Sequence, residues 1–168
     1  RKGEHLGAEF RKINPECTVP ALVLDSGAVL TDAVAICHYF EELQPDPPLI
    51  GRTPEERAYT IAWNRRIERD GFYAVMEAFR NSTPGLKNRA IPGPDDYPQI
   101  PALAERGRQR VLRFYSGMDA HLAGREFIAG STYSLADISA QIASEFARWA
   151  KLPVPTTSLR LSSPNSRA

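Results

Sequence analysis

The sequence predicts a small α/β unit joined to an all-helical one. Three observations carry this reading. Residues 14–43 run as loop, strand, tight turn, strand and helix. Residues 44–52 are proline-rich and resist helix. After Thr53, two long stretches keep the 3–4-residue apolar spacing of amphipathic helices.

The α/β unit is built from short signals. Ala21-Leu-Val-Leu24 is too short for a helix and is bounded by turn formers, so it reads as a buried strand. Asp25-Ser-Gly27 supplies the turn, with Gly27 free to take a positive φ. Ala28-Val-Leu30 returns as the second strand. Thr31 or Asp32 then offers a side-chain oxygen to the first free N–H groups of a helix over 32–43. Val34, Cys37, Phe40 and Leu43 fall on one face of that helix, which puts Cys37 in a core. Upstream, residues 1–12 read as a loop and a short helical segment, with Leu6 and Phe10 at i, i+4 spacing. His5 is the one polar residue marked there; on its own it reads as a solvated surface histidine. Cys17 lies in the loop before the first strand and reads as an accessible loop thiol. Val19-Pro20 opens that strand. An ordinary trans proline suits a strand start, and cis occurs in only ~5–6% of X–Pro bonds. A cis bond would turn the N–H and C=O of Val19 outward, where an extended peptide could pair with them.

Pro45, Pro47 and Pro48 keep the linker 44–52 out of helix and mark a domain boundary. Thr53-Pro-Glu-Glu56 starts the next helix: Thr53 caps, Pro54 suits the first position and Glu56 completes the capping box. The helix should reach about Asn81 on a stripe of Ile61, Ile67, Phe72, Val75, Met76 and Phe79, with Gly71 a soft point. The charge run Arg65, Arg66, Glu68, Arg69 and Asp70 reads as a solvated face. Residues 82–100 are a long loop rich in proline and glycine, placed to cover the mouth of a site. A second long helix runs from Pro101 to about Leu122, with Gly124 as its stop. Ser134 and Asp137 have capping-box spacing, and Ile138, Ile142, Phe146 and Trp149 mark the expected buried face of the helix that follows. Beyond Lys151 the period is lost, and 152–168 reads as a disordered tail.

Composition narrows the function. The net charge of +1 over 168 residues points away from nucleic acid as a main partner. No apolar run approaches the ~18 residues of a membrane span. Two cysteines fit a reducing, cytoplasmic compartment rather than a disulfide scaffold. His5, His38 and His121 lack metal-ligand spacing, and no glycine-rich phosphate loop is present.

Several pieces, in order, resemble the cytosolic glutathione S-transferase family of bacterial type. They are Gly3-Glu-His-Leu-Gly-Ala-Glu-Phe10, Ile13-Asn-Pro15, Val19-Pro-Ala-Leu22, Ala33-Val-Ala-Ile36 leading into His38-Tyr-Phe40, and Ser134-Leu-Ala-Asp137. The resemblance implies a partial thioredoxin-like N-terminal domain at 1–43, a linker at 44–52 and an all-helical C-terminal domain at 53–151. It implies a cis Val19-Pro20 bond. It implies glutathione as co-substrate, a small apolar electrophile, and a homodimer. By the same resemblance Val19 supplies a backbone pair for the cysteinyl part of glutathione and Pro20 shapes that edge. Thr31 and Asp32 match the pair that takes the γ-glutamyl group, plain N-capping being the alternative. His5 lies near the glycine carboxylate, and Asp137 is structural. The family activates the glutathione thiol with a Ser, Tyr or Cys on a first strand or helix that this chain lacks, so the catalytic residue stays unassigned. The alternative expectation is a truncated, catalytically inactive fragment or interaction module.

Overall fold

The structure, a computed structural model, describes residues 3–153; the expected tail lies almost wholly outside them. After a single 3₁₀ turn at Glu4–Leu6, a short helix α1 (Ala8–Ile13) leads into the Asn14–Thr18 loop. Strands β1 (Leu22–Val23) and β2 (Val29–Leu30) form an antiparallel hairpin with Leu22 opposite Leu30 and Val23 opposite Val29. Gly27 takes φ 84° in the turn between them. Helix α2 (Ala33–Leu43) follows directly. This hairpin and helix, with the helical bundle after them, agree with the partial thioredoxin-like plus all-helical class.

Two expectations about α2 and β1 are corrected. Cys37 is exposed, as are Phe40 and Leu43, so that face of α2 faces away from any core among the described residues. The side chain that α2 does bury is Glu41. Val23 of the expected buried strand is likewise exposed. The apolar period was real, but nothing among the described residues covers it.

Glu41 explains the course of the linker. Its carboxylate accepts from three successive backbone N–H groups, Leu49 (3.0 Å), Ile50 (2.8 Å to each oxygen) and Gly51 (3.2 Å). Three amides converging on one carboxylate form an anion-holding turn. On its other edge Leu49 O accepts from Leu135 N at 2.8 Å. The proline-rich segment is therefore pinned on two sides, and Ile50 is buried within it.

The helical bundle starts at α3 (Pro54–Ile67), whose Thr53–Glu56 capping box forms as expected. The helix does not run uniformly to Asn81. A π-turn over Glu68–Phe72 separates it from α4 (Tyr73–Arg80). The π-turn falls at the Gly71 soft point, where a Cβ would lie 2.7 Å from the Phe114 ring. Helix α5 (Pro101–Leu122) packs on α4, and α6 (Leu135–Trp149) packs on α3. The expected buried face of α6 is corrected. Ile142 and Trp149 are half or more exposed, while Ala136, Ala140, Ala143 and Ala147 are buried. Small side chains let α6 sit close in the bundle, and its larger residues lie along the margin. There Phe72, Phe79, Phe146 and Trp149 meet ring to ring at 5.0–6.1 Å.

Glu77 on α4 bridges to α5 through Arg106 and Arg110. Burial alone would raise its carboxyl. The hydrogen bonds and charges of the two arginines outweigh it and hold the group below its usual value of 4.5. A lowered folded value adds stability above the unfolded pKa, and that stability is lost as pH falls through the folded one. Glu77→Gln should therefore be less stable than the parent by about 1 kcal/mol at pH 7. The gap should close under acid. Urea unfolding of both proteins from pH 7 down to 3 measures it; a gap that stays constant with pH would contradict the assignment.

Candidate functional site

The site is assembled around the Asn14–Thr18 loop. Asn14 ends α1, and its side chain is turned inward, 2% exposed. Its Nδ2 donates to Thr18 O (2.8 Å) and Thr18 Oγ1 (3.1 Å), while Oδ1 accepts from Glu16 N (3.1 Å). Cys17 sits in the left-handed region at φ 53° and is 1% exposed. The expectation of an accessible loop thiol is thus corrected. The Asn14-centred turn folds Cys17 beneath the loop, and its Sγ lies 3.5 Å from Pro15 O.

The chain leaves this turn at Val19, which is 68% exposed, and the Val19–Pro20 peptide is cis, as the resemblance implies. Neither the N–H nor the C=O of Val19 has a hydrogen-bond partner among the described residues. Hairpin register brings the start of α2 to the same end. With Leu22 opposite Leu30, Pro20 and Asp32 each lie two residues beyond the last paired position, at the same end of the hairpin. Asp32 is the N-cap of α2, its Oδ1 accepting from Ala35 N at 2.8 Å. Helix geometry leaves the N–H groups of Ala33 and Val34 without intrahelical acceptors, and Thr31 is exposed beside them. His5, in the 3₁₀ turn, lines one open depression together with Val19, Phe10 and Ile13. Val19 is thus shared between the His5 depression and the hairpin end that carries Pro20, Thr31 and Asp32.

The long loop 82–100 reaches this region as an ordered structure. Asn81 Oδ1 accepts from Ile100 N (2.9 Å), and Gln99 Nε2 donates to the carbonyls of Arg80 and Thr83 (2.7 Å each). Arg80 donates to the carbonyls of Arg89 and Ala90, and Arg89 to Gly93 O at 2.6 Å. Gly93, at φ 135°, is buried; a Cβ there would stand 3.8 Å from Glu16 O, three residues before Val19.

Comparison with known proteins places this arrangement. The family description "Glutathione S-transferase, N-terminal domain" matches residues 1–43. "Glutathione S-transferase 2" of Saccharomyces cerevisiae is 35% identical over 155 residues, 92% of this chain and 64% of the relative. The solved structure of Gtt2 from Saccharomyces cerevisiae superposes with a TM-score of 0.80 at 34% identity, covering 92% of this chain and 72% of that one. The chain belongs to the glutathione S-transferase family. A glutathione S-transferase domain-containing protein from Marinobacter aquaeolei is similar too, with a TM-score of 0.77, 31% identity, and coverage of 92% of this chain and 73% of that one. The chain spans just under two thirds of the length of the curated yeast relative.

Within the chain, several titratable groups move away from their anions. Partial desolvation of the sulfur, though the residue is exposed, together with the charges of Asp32 and Glu41, pushes the Cys37 thiol up. Burial likewise raises the phenols of Tyr115 and Tyr133. Sequence reasoning passed over Asn14 and Glu41, the two side chains that hold the site's loop and the linker. Asn before Pro is a turn former that bonds its own downstream backbone, so Asn14 had a readable signal. Glu41 had none, because a carboxylate's backbone partners eight to ten residues on leave no trace in local spacing.

Proposed function

We propose that the chain binds glutathione at the Val19–Asp32 end of the hairpin and serves glutathione S-transfer to small apolar electrophiles. The observation that carries this reading is the exposed, unpaired Val19 backbone beside the capped start of α2. An extended tripeptide can add to the Val19 N–H and C=O as a short strand. The free N–H groups of α2 suit its γ-glutamyl carboxylate. Thr31 and the second oxygen of Asp32 suit its ammonium, and His5 suits the glycine carboxylate. Pro20 shapes the edge. In the reaction the glutathione sulfur, having given its proton to solvent, forms a bond to the electrophilic carbon as the leaving group departs with its electron pair. On this reading residues 1–43 are the glutathione-binding unit, 44–52 the linker and 53–151 the helical unit. The family fold supports a homodimer and a cytoplasmic setting.

A second reading has the chain bind glutathione without catalysis. Among the described residues, the depression beside Val19 is lined by no Ser, Tyr or Cys, and Cys17 is buried beneath the loop, which favours it. A thermal melt with and without glutathione tests binding. Ligand at 100 times its Kd should add about 2.7 kcal/mol, and at roughly 2–4 °C per kcal/mol the midpoint should rise by several degrees. An unmoved cooperative melt would reject the site. Loss of free thiol with an activated aryl halide then separates the two readings.

A further inference from the structure

We infer that Asn14 is the positioning residue that aims the Val19 N–H at the ligand; this rests on the glutathione reading above. The Thr18–Val19 peptide is trans, since the cis bonds are Val19–Pro20 and Asp46–Pro47. Across a trans peptide, the carbonyl and the N–H point in opposite directions. Asn14 Nδ2 holds Thr18 O at 2.8 Å on the inward side of the turn. The Val19 N–H on the same rigid plane must therefore point outward, where it has no partner among the described residues.

The carboxamide is suited to this in a way that few side chains are. Its amino group donates toward Thr18 while its carbonyl accepts from Glu16 N, so one planar group fixes both sides of the turn. It is fully enclosed, and water cannot substitute for it. Cys17, locked at positive φ between these two contacts, completes the turn. Asn14 touches no ligand; it acts through the plane of the peptide that does.

The test uses the whole chain and glutathione itself, by titration calorimetry. Asn14→Asp keeps size and the Glu16 contact but faces Thr18 O with a second acceptor; Asn14→Ala removes both contacts. Each should weaken glutathione by about tenfold or more. The Val19 amide resonance, which should shift on glutathione binding in the parent, should shift far less in the variants. Thr18→Val, which removes only the 3.1 Å hydroxyl contact, should stay within about twofold. Gly107→Ala crowds the α4–α5 seam in the helical unit instead, where a Cβ would stand 2.6 Å from Ala78 N. It should lower the melting midpoint while leaving glutathione affinity near the parent's. Normal affinity in Asn14→Asp and Asn14→Ala overturns the inference, as does an equal loss in Gly107→Ala. A parent chain that takes up no glutathione removes the binding reading and this inference together.

Discussion

Asp137→Ala should be the most destabilising single truncation at a helix start in this chain, by about 4 kcal/mol. Asp137 is fully buried at the beginning of α6. One oxygen accepts from Ile128 N at 2.9 Å; the other accepts from Ser134 N (2.9 Å) and Ser134 Oγ (2.7 Å). Alanine leaves two backbone donors and a hydroxyl buried without these acceptors, at about 1–3 kcal/mol each for the groups that water cannot reach. Ser134 stays in place as the N-cap residue, so no separate capping loss is added. Some of that loss is recovered as the loop before α6 relaxes, which is why the sum is not taken in full. Asp137→Asn, keeping an acceptor, should retain about half the stability lost by alanine. Equilibrium urea unfolding measures both. An alanine variant within about 1 kcal/mol of the parent would show that this cap does not hold the bundle.

Gly107→Ala should destabilise by about 2 kcal/mol although alanine is the better helix former. Gly107 faces α4 from the middle of α5. A Cβ there would stand 2.6 Å from Ala78 N, 2.9 Å from Ala74 O and 3.0 Å from Ala78 Cα. All three are backbone atoms, so no side chain can swing aside; the helices must part. Overpacking of this kind costs roughly 1–3 kcal/mol and sometimes more. The propensity gain of about 1 kcal/mol opposes it only in part. Gly117, on the same helix with open space around it, is the matched control. Gly117→Ala should gain stability while Gly107→Ala loses it, and the difference between their melting midpoints should be several degrees. Equal midpoints would mean that α4 and α5 do not approach as closely as their backbones indicate.

Both expectations depend on features that differ in how far they can be read from the chain. The Asp137 box was legible, because its two partners stand three residues apart and the capping chemistry is local. Gly107 was not, since its partner atoms lie about thirty residues away on α4. The same division runs through the candidate site. The hairpin, its Asp25-Ser-Gly27 turn, the helix start at Thr31–Asp32 and the prominence of Val19-Pro20 all follow from local signals. The inward turn of Asn14 and the burial of Cys17 do not.

By itself the sequence determined the order of elements, the helix starts at Thr53 and Ser134, the stop near Gly124 and the hairpin that presents Val19. These rest on contacts within a few residues, where side-chain type and spacing dictate geometry. Only the tertiary structure decided which faces are covered. It put Glu41 rather than Cys37 inside, and the alanines of α6 rather than Ile142 and Trp149 against the bundle. It set the π-turn where Gly71 meets Phe114. It brought the pinned 82–100 loop against Glu16. An apolar stripe states that a face can be buried; what lies opposite, and how near its backbone comes, is settled by the packing of elements far apart in the chain.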